Sequence, residues 1–276
     1  MPSEKTAVCD LENQTHSSRT WKIVSTSVCG SSHEKLGIPC QDAHFWFVQS
    51  DQTLLVAVAD GAGSAKHSDM GAKIATQTAV ETLCHESDLA LRMQNDPETF
   101  RFVLQKALKA ALAAVKTEAK EQHIHTRDLA STLIVAIATP QVVAAAQIGD
   151  GAVVIQSEEL IALTTPDCGE YINQTTFLTT PKAITSAQMH IYYGHISHLA
   201  IFSDGLQMLA LAMPLGKPHA PFFSPLFRFV SESQNNADER LASFLRSHRV
   251  RERTDDDLTL FLSALTDCDD ATQSQN

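Results

Sequence analysis

The sequence lacks any long hydrophobic run. No stretch of its 276 residues approaches the roughly eighteen consecutive apolar residues of a membrane-spanning helix, and the first ten residues contain no charged segment followed by an apolar one. We therefore expect neither a transmembrane helix nor a classical secretion signal. These absences predict a cytoplasmic protein without a membrane partner.

Cysteine motifs are also absent. The six cysteines form no Cys-x-x-Cys pair and show no spacing typical of zinc ligands. Such scatter is typical of a protein of the reduced cytosol and argues against a disulfide framework. The cysteines are Cys9, Cys29, Cys40, Cys84, Cys168 and Cys268.

Positive charge is scarce. Lysine and arginine together number 21 against 32 aspartates and glutamates, so the formal net charge is −11. The only basic run is the short series Arg249, Arg251 and Arg253, and a nucleic-acid backbone would be repelled. We therefore exclude nucleic acid as a partner. An acidic chain suits divalent cations instead, provided that its carboxylates converge.

The remaining composition is that of a globular protein, with 43% hydrophobic and 19% charged residues. No internal repeat and no Gly/Ser-rich linker divides the chain. We predict one domain over residues 20–265, between a polar N-terminal tail at 1–19 and an acidic C-terminal tail at 266–276.

Strand-like apolar runs, several rich in Val and Ile, mostly occur in adjacent pairs joined by short turns, which indicates antiparallel hairpins. The predicted strands are 54–59, 132–138, 142–148, 152–155, 198–203 and 258–262. Periodicity predicts helices over 68–83, from 97 onward with Asp96 as the N-cap, and over 237–248. The sheets should be mainly antiparallel, with helices packed outside.

A proline-rich stretch at 214–225 lies among methionines and phenylalanines. These apolar side chains predict a small cluster beneath the stretch, and the alternative is that it forms a substrate or partner surface. The residues of the predicted cluster are Met208, Met213, Phe222, Phe223, Phe227 and Phe229.

Three predicted strands end in Asp-Gly, at Asp60, Asp150 and Asp204, and a fourth is entered through the aspartates 255–257. An isolated Asp-Gly is usually a turn, and for Asp150 the turn and a functional role are about equally favoured. The repetition favours function, because carboxylates gathered at strand ends repel one another and need a counter-charge. Two divalent cations supply it, and an all-oxygen ligand set favours Mg²⁺ or Mn²⁺ over zinc.

The motifs form an ordered series. It consists of Gly37-Ile-Pro-Cys-Gln41-Asp42-Ala43, Asp60-Gly61-Ala-Gly63-Ser64, Ser131-Thr132-Leu133, Ile148-Gly149-Asp150, Phe202-Ser203-Asp204-Gly205-Leu206 and Asp256-Asp257-Leu258-Thr259. In order and approximate spacing, over residues 22–263, this series resembles the protein phosphatase 2C family of metal-dependent serine/threonine phosphatases. The first two motifs resemble the bacterial branch of that family.

The resemblance implies an α+β fold, a four-layer αββα sandwich of two mainly antiparallel sheets flanked by helices. It implies a hydrolase that removes phosphate from phosphoserine or phosphothreonine in proteins, by means of a hydroxide activated by two Mg²⁺ or Mn²⁺ ions. The resemblance also implies a third metal ion that is bound more weakly. The implied partner is a phosphorylated protein in a signalling pathway, either a serine/threonine kinase or the target of one.

The resemblance also implies the ligands. Asp60 corresponds to the carboxylate that bridges two metals, and Gly61 to the residue that supplies a backbone carbonyl. The implied catalytic residues are Asp60, Asp204 and Asp256, of which the last two hold the second metal. Asp42 corresponds to a carboxylate that holds metal-bound water. The full implied ligand set is Asp42, Asp60, Gly61, Asp150, Asp204 and Asp256, with Asp150 at the third ion.

The substrate contacts depart from the family pattern. Gly37 stands where many members carry an arginine, and Gln41 replaces the acidic residue before the first metal-site aspartate. Ala62 replaces a histidine that protonates the leaving group in some members, and Asp257 replaces an asparagine. The Ser-Arg that commonly follows Gly-Asp is Gly151-Ala152.

Four nearby residues could replace the lost phosphate contact or acid. His33 and Lys66 are the candidates for phosphate binding, and Lys35 and His67 could act in the same way. Each of the four is alternatively a solvated loop residue.

Two other functions stay open beside the phosphatase. A degenerate, catalytically weak member of the fold that binds phosphoproteins or signalling partners would explain the lost substrate contacts. The retained carboxylates oppose it, because an uncompensated acidic cluster persists poorly without metal. A phosphatase with an aspartyl nucleophile requires Asp-x-Asp at a strand end, and Ala62 argues against it.

Overall fold

The computed structural model describes residues 19–89, 91–92, 96–166, 175–233 and 235–267. The strands are β1 (Arg19–Val28), β2 (Ala43–Val48), β3 (Leu54–Ala59), β4 (Leu133–Ala138), β5 (Val142–Ile148), β6 (Ala152–Gln156), β7 (Leu160–Thr164), β8 (Gln188–Tyr193), β9 (His198–Phe202), β10 (Leu211–Ala212), β11 (Lys217–Pro218) and β12 (Leu258–Asp267).

The helices are α1 (Ser31–Leu36), α2 (Ser68–Cys84), α3 (Pro97–Glu121), α4 (Ala183–Ser186), α5 (Gln207–Ala210), α6 (Ala220–Ser231), α7 (Ala237–Leu245) and α8 (His248–Arg251), with 3-10 turns at Thr126–Leu129 and Asp204–Leu206. None of the described helices combines the length and the apolarity needed to cross a bilayer.

Two five-stranded antiparallel sheets form the centre of the molecule. Sheet 1 has the strand order β1-β12-β9-β6-β7, and sheet 2 has the order β2-β3-β4-β5-β8. The chain passes from sheet 2 to sheet 1 between β5 and β6, at Gly149-Asp150-Gly151. Strands β10 and β11 form a separate short pair.

The two sheets face each other across an apolar layer. Val56 of β3 and Ile134 of β4 belong to the same buried cluster as Ile201 and Phe261 of sheet 1. Since alternate strand residues point to opposite faces, Leu55 of β3 lies instead in a second cluster beneath helices. Both faces of β3 are therefore buried, which explains its uninterrupted apolar sequence.

Helices cover the outer face of each sheet. Helices α2 and α3 pack on sheet 2, where Leu104, Leu108 and Val115 of α3 are fully buried. Helices α6 and α7 pack on sheet 1. The side chain of Asp96 accepts a hydrogen bond from the backbone N–H of Glu98, so the predicted N-cap of α3 is confirmed. The layers run helix, sheet, sheet, helix, which confirms the predicted αββα sandwich.

Several predicted elements need correction. β12 continues to Asp267, well past the predicted end at 262, and β1, β2, β7 and β8 were not predicted at all. The helix predicted to end at 248 ends at Leu245, and a new short helix, α8, begins at His248. The proline-rich stretch enters helix α6, which contains Pro225.

The boundary pair Arg19 and Asp267, which closes the ladder between β1 and β12, lies just outside the predicted domain limits of 20 and 265. Residues 1–18 and 268–276, which make up nearly all of both predicted tails, lie outside the described residues. Among the described cysteines, Cys29, Cys40 and Cys84 are free thiols, and the other three are not described.

Candidate active site

Aspartates from both sheets meet where strands end. Asp60 follows β3, Asp204 follows β9, and Asp150 lies in the crossing from β5 to β6. Carboxylate oxygens of these three residues all lie within 4.8 Å of one another. Asp256 precedes β12, and β12 runs antiparallel to β9. Asp256 therefore lies at the same end of sheet 1 as Asp204. The structure thus brings the carboxylates of Asp60, Asp150 and Asp204 together and places Asp256 at the same end of sheet 1.

The loop that leads into β4 holds the backbone of Asp60 in place. Its N–H donates to Thr132 Oγ1 over 2.9 Å, and its carbonyl accepts from the N–H of Thr132 over 2.8 Å. The next residue, Gly61, bridges to Ser131. A Cβ at position 61 would lie 2.7 Å from the carbonyl oxygen of Gln41, so only glycine allows this close approach.

Asp150 has two sets of contacts. Its crossing is shaped by Gly149, which has φ of +108°, and by the Gln147 amide, which donates to the carbonyls of Gly149 and Gly151. The carboxylate itself accepts from Thr175 Oγ1 over 2.7 Å and faces Asp60 and Asp204. Because β5 and β6 belong to different sheets, Asp150 does not form the hairpin turn that an isolated Asp-Gly predicts. Its carboxylate belongs to the acidic cluster instead.

Asp42 lies deeper than the others and is only 4% exposed. Its Oδ2 accepts a hydrogen bond of 2.7 Å from Ser203 Oγ, and Ser203 Oγ accepts in turn from the N–H of Thr259 over 2.9 Å. This chain of hydrogen bonds ties Asp42 to the two strands that carry Asp204 and Asp256.

The carboxylates raise one another's pKa values. Burial raises the pKa of Asp60 well above its ordinary range, and the charges of Asp42, Asp204 and Asp256 raise it further. Burial, with the charges of Asp150 and Asp256, raises the pKa of Asp204 to about 6. Burial is also the main cause that raises the pKa of Asp42 to about 7. The cluster is therefore short of positive charge in the protein alone.

The cluster also has unused acceptors. Oδ1 of Asp42, Oδ1 of Asp150 and Oδ1 of Asp204 are buried without a hydrogen-bond partner among the described residues. Buried carboxylate oxygens that lack partners are costly, and divalent cations satisfy both their charge and their coordination. An all-oxygen set of this kind fits Mg²⁺ or Mn²⁺.

The comparisons with known proteins point the same way. The model of the protein phosphatase 2C family matches residues 29–246, most of the chain. The chain belongs to the protein phosphatase 2C family. It is 36% identical over 253 residues to serine/threonine-protein phosphatase 3 of Escherichia coli strain K12, with 88% of this chain and 98% of the relative covered.

Solved structures of phosphatases share the fold. A bacterial serine phosphatase superposes with a TM-score of 0.64 at 17% identity, covering 89% of this chain and 98% of the other. Serine/threonine phosphatase Stp1 from Staphylococcus aureus gives 0.61 at 15% identity, with 90% and 96% covered. The predicted family, fold and enzyme class, a protein serine/threonine phosphatase, are confirmed together. The metal roles of individual residues stay predictions.

The sequence did not predict the role of Asp257 in this phosphatase 2C site. The residue is buried, and its carboxylate accepts from the N–H of Gly30 and the N–H of Gln41, both over 2.6 Å. Its Oδ2 also lies 3.0 Å from Nδ1 of His33. Asp257 therefore joins three segments of the chain beside Asp256.

A second group with ligand-type atoms surrounds Asp257. Atoms of Cys29, His33 and Asp257 lie within 4.8 Å of one another. The hydrogen bonds of Asp257 to His33 and to two backbone N–H groups occupy both of its oxygens, and Cys29 Sγ lies 3.5 Å from the carbonyl of Ile38. These contacts account for the arrangement as an internal hydrogen-bond network.

The candidates for phosphate binding differ in their surroundings. The side chain of His33 is only 15% exposed. Burial raises the pKa of Asp256, and a positive charge on His33 acts in the opposite direction and lowers it. Lys66 and His67 are exposed on the loop between Gly61 and α2, and Lys35 is exposed on α1. Of the four, His33 has contacts that place it beside the acidic cluster.

Residues that hold the aspartates in place through hydrogen bonds were also missed by the sequence. The hydroxyls of Thr175 and Ser203 donate to the carboxylates of Asp150 and Asp42. Thr132 Oγ1 accepts from the backbone N–H of Asp60, and the backbone N–H of Thr259 donates to Ser203. Ser203, Thr132 and Thr259 lie within the recognised motifs, which is the signal that could have singled them out. Thr175 lies 25 residues from Asp150, outside every motif.

Proposed function

We propose that the protein is a Mg²⁺- or Mn²⁺-dependent phosphatase of the bacterial cytoplasm that hydrolyses phosphoserine and phosphothreonine in signalling proteins, such as a serine/threonine kinase or its target. The observation that carries the proposal is the convergence of Asp60, Asp150 and Asp204 within 4.8 Å, with buried oxygens that lack partners. Membership of the protein phosphatase 2C family supports the same reaction.

In this proposal Asp60 would be shared by two cations, and the carbonyl of Gly61 would help to hold the first of them. Asp204 and Asp256 would hold the second cation, and Asp150 together with Asp204 would hold a third. When bound, such ions supply an attacking water of lowered pKa and positive charge for the phosphoryl oxygens. Thr132 keeps the backbone of Asp60 in place, so the bridging carboxylate keeps its position through the reaction.

Asp42 orients the attacking water. Ser203 occupies one of its oxygens, so Oδ1 remains to accept a hydrogen bond from that water. This hydrogen bond turns a lone pair of the water oxygen toward phosphorus. Asp42 can also accept the proton that the water loses as it attacks.

His33 is the proposed phosphate contact in place of the missing arginine. The bond from Nδ1 to Asp257 fixes the ring, and a protonated His33 can then donate from Nε2 to a phosphoryl oxygen. The same proton can pass to the leaving oxygen of serine or threonine, the task of the histidine that Ala62 replaces. Lys66, exposed and five residues past Gly61, is a weaker candidate for the phosphate contact.

Release of phosphate from matched phosphoserine and phosphothreonine peptides tests the proposal. We expect turnover with Mn²⁺ or Mg²⁺, no turnover with EDTA, and a loss of more than about a hundredfold in Asp60→Asn. Asp51→Asn is the matched control, because Asp51 lies in the β2–β3 turn and, among the described residues, its side chain accepts from the N–H of Thr53 alone. Phosphopeptide binding without turnover in the wild type would favour the degenerate binding module.

A further inference from the structure

A groove of about 630 Å³ lies on the outer side of sheet 1, among helices α5, α6, α7 and α8. Its floor is apolar, and Leu226, Leu241 and Val250 within it are almost fully buried. Phe222 and Phe244 are half-buried at its walls. An apolar side chain that entered the groove would leave water and contact these groups.

The rim of the groove is positively charged. Arg240, Arg249 and Arg253 line it and are exposed, with Glu252 as the acidic residue among them. The guanidinium of Arg240 lies 5.0 Å from the centre of the Phe229 ring, which holds it at the edge of the apolar wall. Three arginines beside one glutamate are notable in a chain whose net charge is −11.

Two residues of the groove are close in sequence to aspartates of the acidic cluster. Met208, which lines the groove, follows Asp204 by four residues, and Arg253, on the rim, precedes Asp256 by three. Consecutive Cα atoms are about 3.8 Å apart, so the Cα of Met208 lies at most about 15 Å from that of Asp204. The Cα of Arg253 lies at most about 11 Å from that of Asp256. An extended peptide covers that distance with about five residues.

We propose that this groove binds a segment of the phosphoprotein substrate that carries a large apolar side chain flanked by acidic residues, within about six residues of the phosphorylated one. This inference rests on the proposed function. The apolar side chain enters the groove, while the neighbouring carboxylates pair with Arg249 and Arg253. Because the chain as a whole carries a net charge of −11, this local positive charge beside the reaction centre favours substrates with acidic flanks without involving the metal site.

Direct binding tests the groove independently of catalysis. The probe is a fluorescent, unphosphorylated peptide that carries Leu or Phe between glutamates, and the reference replaces these residues by Ser and Gln. Anisotropy titrations in EDTA should give at least about tenfold tighter binding of the acidic, apolar peptide. The double variant Arg249→Glu, Arg253→Glu should remove that preference.

Arg228→Glu is the matched control, since Arg228 is an exposed arginine of α6 that does not line the groove. This variant should retain the tenfold preference. A kinetic arm uses phosphoserine peptides with the same two flanks placed before or after the phosphoserine. The ratio of kcat/KM between the acidic, apolar flank and the neutral flank should exceed about ten in the wild type and fall to about one in the double variant.

Several outcomes would overturn the groove proposal. Equal affinity for both unphosphorylated peptides would do so, and so would a preference that survives in the double variant. A dimer in sedimentation that the double variant dissociates would assign the groove to a second copy of the chain. If the binding preference is present but no phosphate is released, the proposed catalytic function fails and the groove stands.

Discussion

Asp257 shows how a single residue organises the surroundings of the site. Both of its carboxylate oxygens accept hydrogen bonds, from the backbone N–H groups of Gly30 and Gln41 and from His33. An asparagine side chain has one oxygen and could not accept at both positions. The aspartate at position 257 therefore holds His33 beside Asp256 while it also binds two backbone N–H groups.

The hydrogen bond from Ser203 to Asp42 leads to a prediction at the same scale. Ser203→Ala removes the donor that orients Asp42 and leaves the N–H of Thr259 without its acceptor. Loss of such an orienting bond typically weakens metal binding by about tenfold or more. We expect a rise of that size in the Mn²⁺ concentration that gives half-maximal phosphatase activity.

Ser263→Ala is the control for this prediction. Ser263 is a fully buried serine of β12 whose hydroxyl has no hydrogen-bond partner among the described residues. Ser263 lies in sheet 1, Ser203 directly follows strand β9 of the same sheet, and both variants lose the same hydroxyl. Equal Mn²⁺ titrations for the wild type and Ser203→Ala would show that the serine does not orient a metal-site carboxylate.

The strand-end aspartates were predictable from sequence because each lies within two residues of a strong apolar strand, whereas Asp42 was implied by the family resemblance alone. Their orienting partners were not, since Ser203 and Asp42 are 161 residues apart and nothing local records their contact. The same holds for Asp257 and His33, which are separated by 224 residues. Sequence patterns thus predicted the acidic residues of the site. The hydrogen bonds between distant residues became known only from the fold.

At the scale of elements, buried strands were predicted and partly exposed ones were missed. β3, β4 and β5 are buried along their whole length, so their apolar runs are unmistakable. β1 mixes polar and apolar residues, and β2 exposes Trp46 and Phe47. Such edge strands have one side open to solvent and carry a weaker signal.

Helix α3 gives the prediction at this scale. Asp96 caps it by accepting from the N–H of Glu98, and its other oxygen accepts from Thr99 Oγ1. Asp96→Ala should lower the free energy of unfolding by about 1 kcal/mol, a fall of about 2–4 °C in melting temperature for a domain of this size. Activity should stay unchanged, because α3 covers the outer face of sheet 2.

Glu121→Ala, at the exposed C-terminal end of the same helix, is the comparison. Its effect should stay within about 0.5 kcal/mol, since the residue caps nothing. Thermal unfolding of the three proteins, followed by circular dichroism, measures both shifts. Equal melting temperatures for Asp96→Ala and the wild type would contradict the assigned cap.

At the scale of the whole molecule, folding assembles the carboxylates against their repulsion. Burial raises the pKa of Asp42 to about 7 and that of Asp204 to about 6, from an ordinary value of 3.8. Because the folded-state pKa values exceed the unfolded ones, these groups contribute stability that is fully present below about pH 4. That stability is lost as the pH rises through about 6 to 7.

This linkage predicts how stability depends on pH and metal. In EDTA the melting temperature should fall between pH 5 and pH 8, whereas in Mn²⁺ it should hold, because the cation replaces the protons. At a hundredfold excess over its Kd, a bound ion adds about 2.7 kcal/mol. Thermal unfolding at four pH values with EDTA or Mn²⁺ measures the effect. A melting temperature that rises with pH in EDTA would contradict the assigned repulsion.

The central claim is that the Asp60, Asp204 and Asp256 carboxylates hold two divalent cations. Anomalous diffraction at the manganese edge, from crystals grown with Mn²⁺, tests it most directly. We predict two strong peaks that share Asp60, about 3.5–4 Å apart, with a weaker third peak between Asp150 and Asp204. No peak at Asp60, or a peak only among Cys29, His33 and Asp257, would contradict the account.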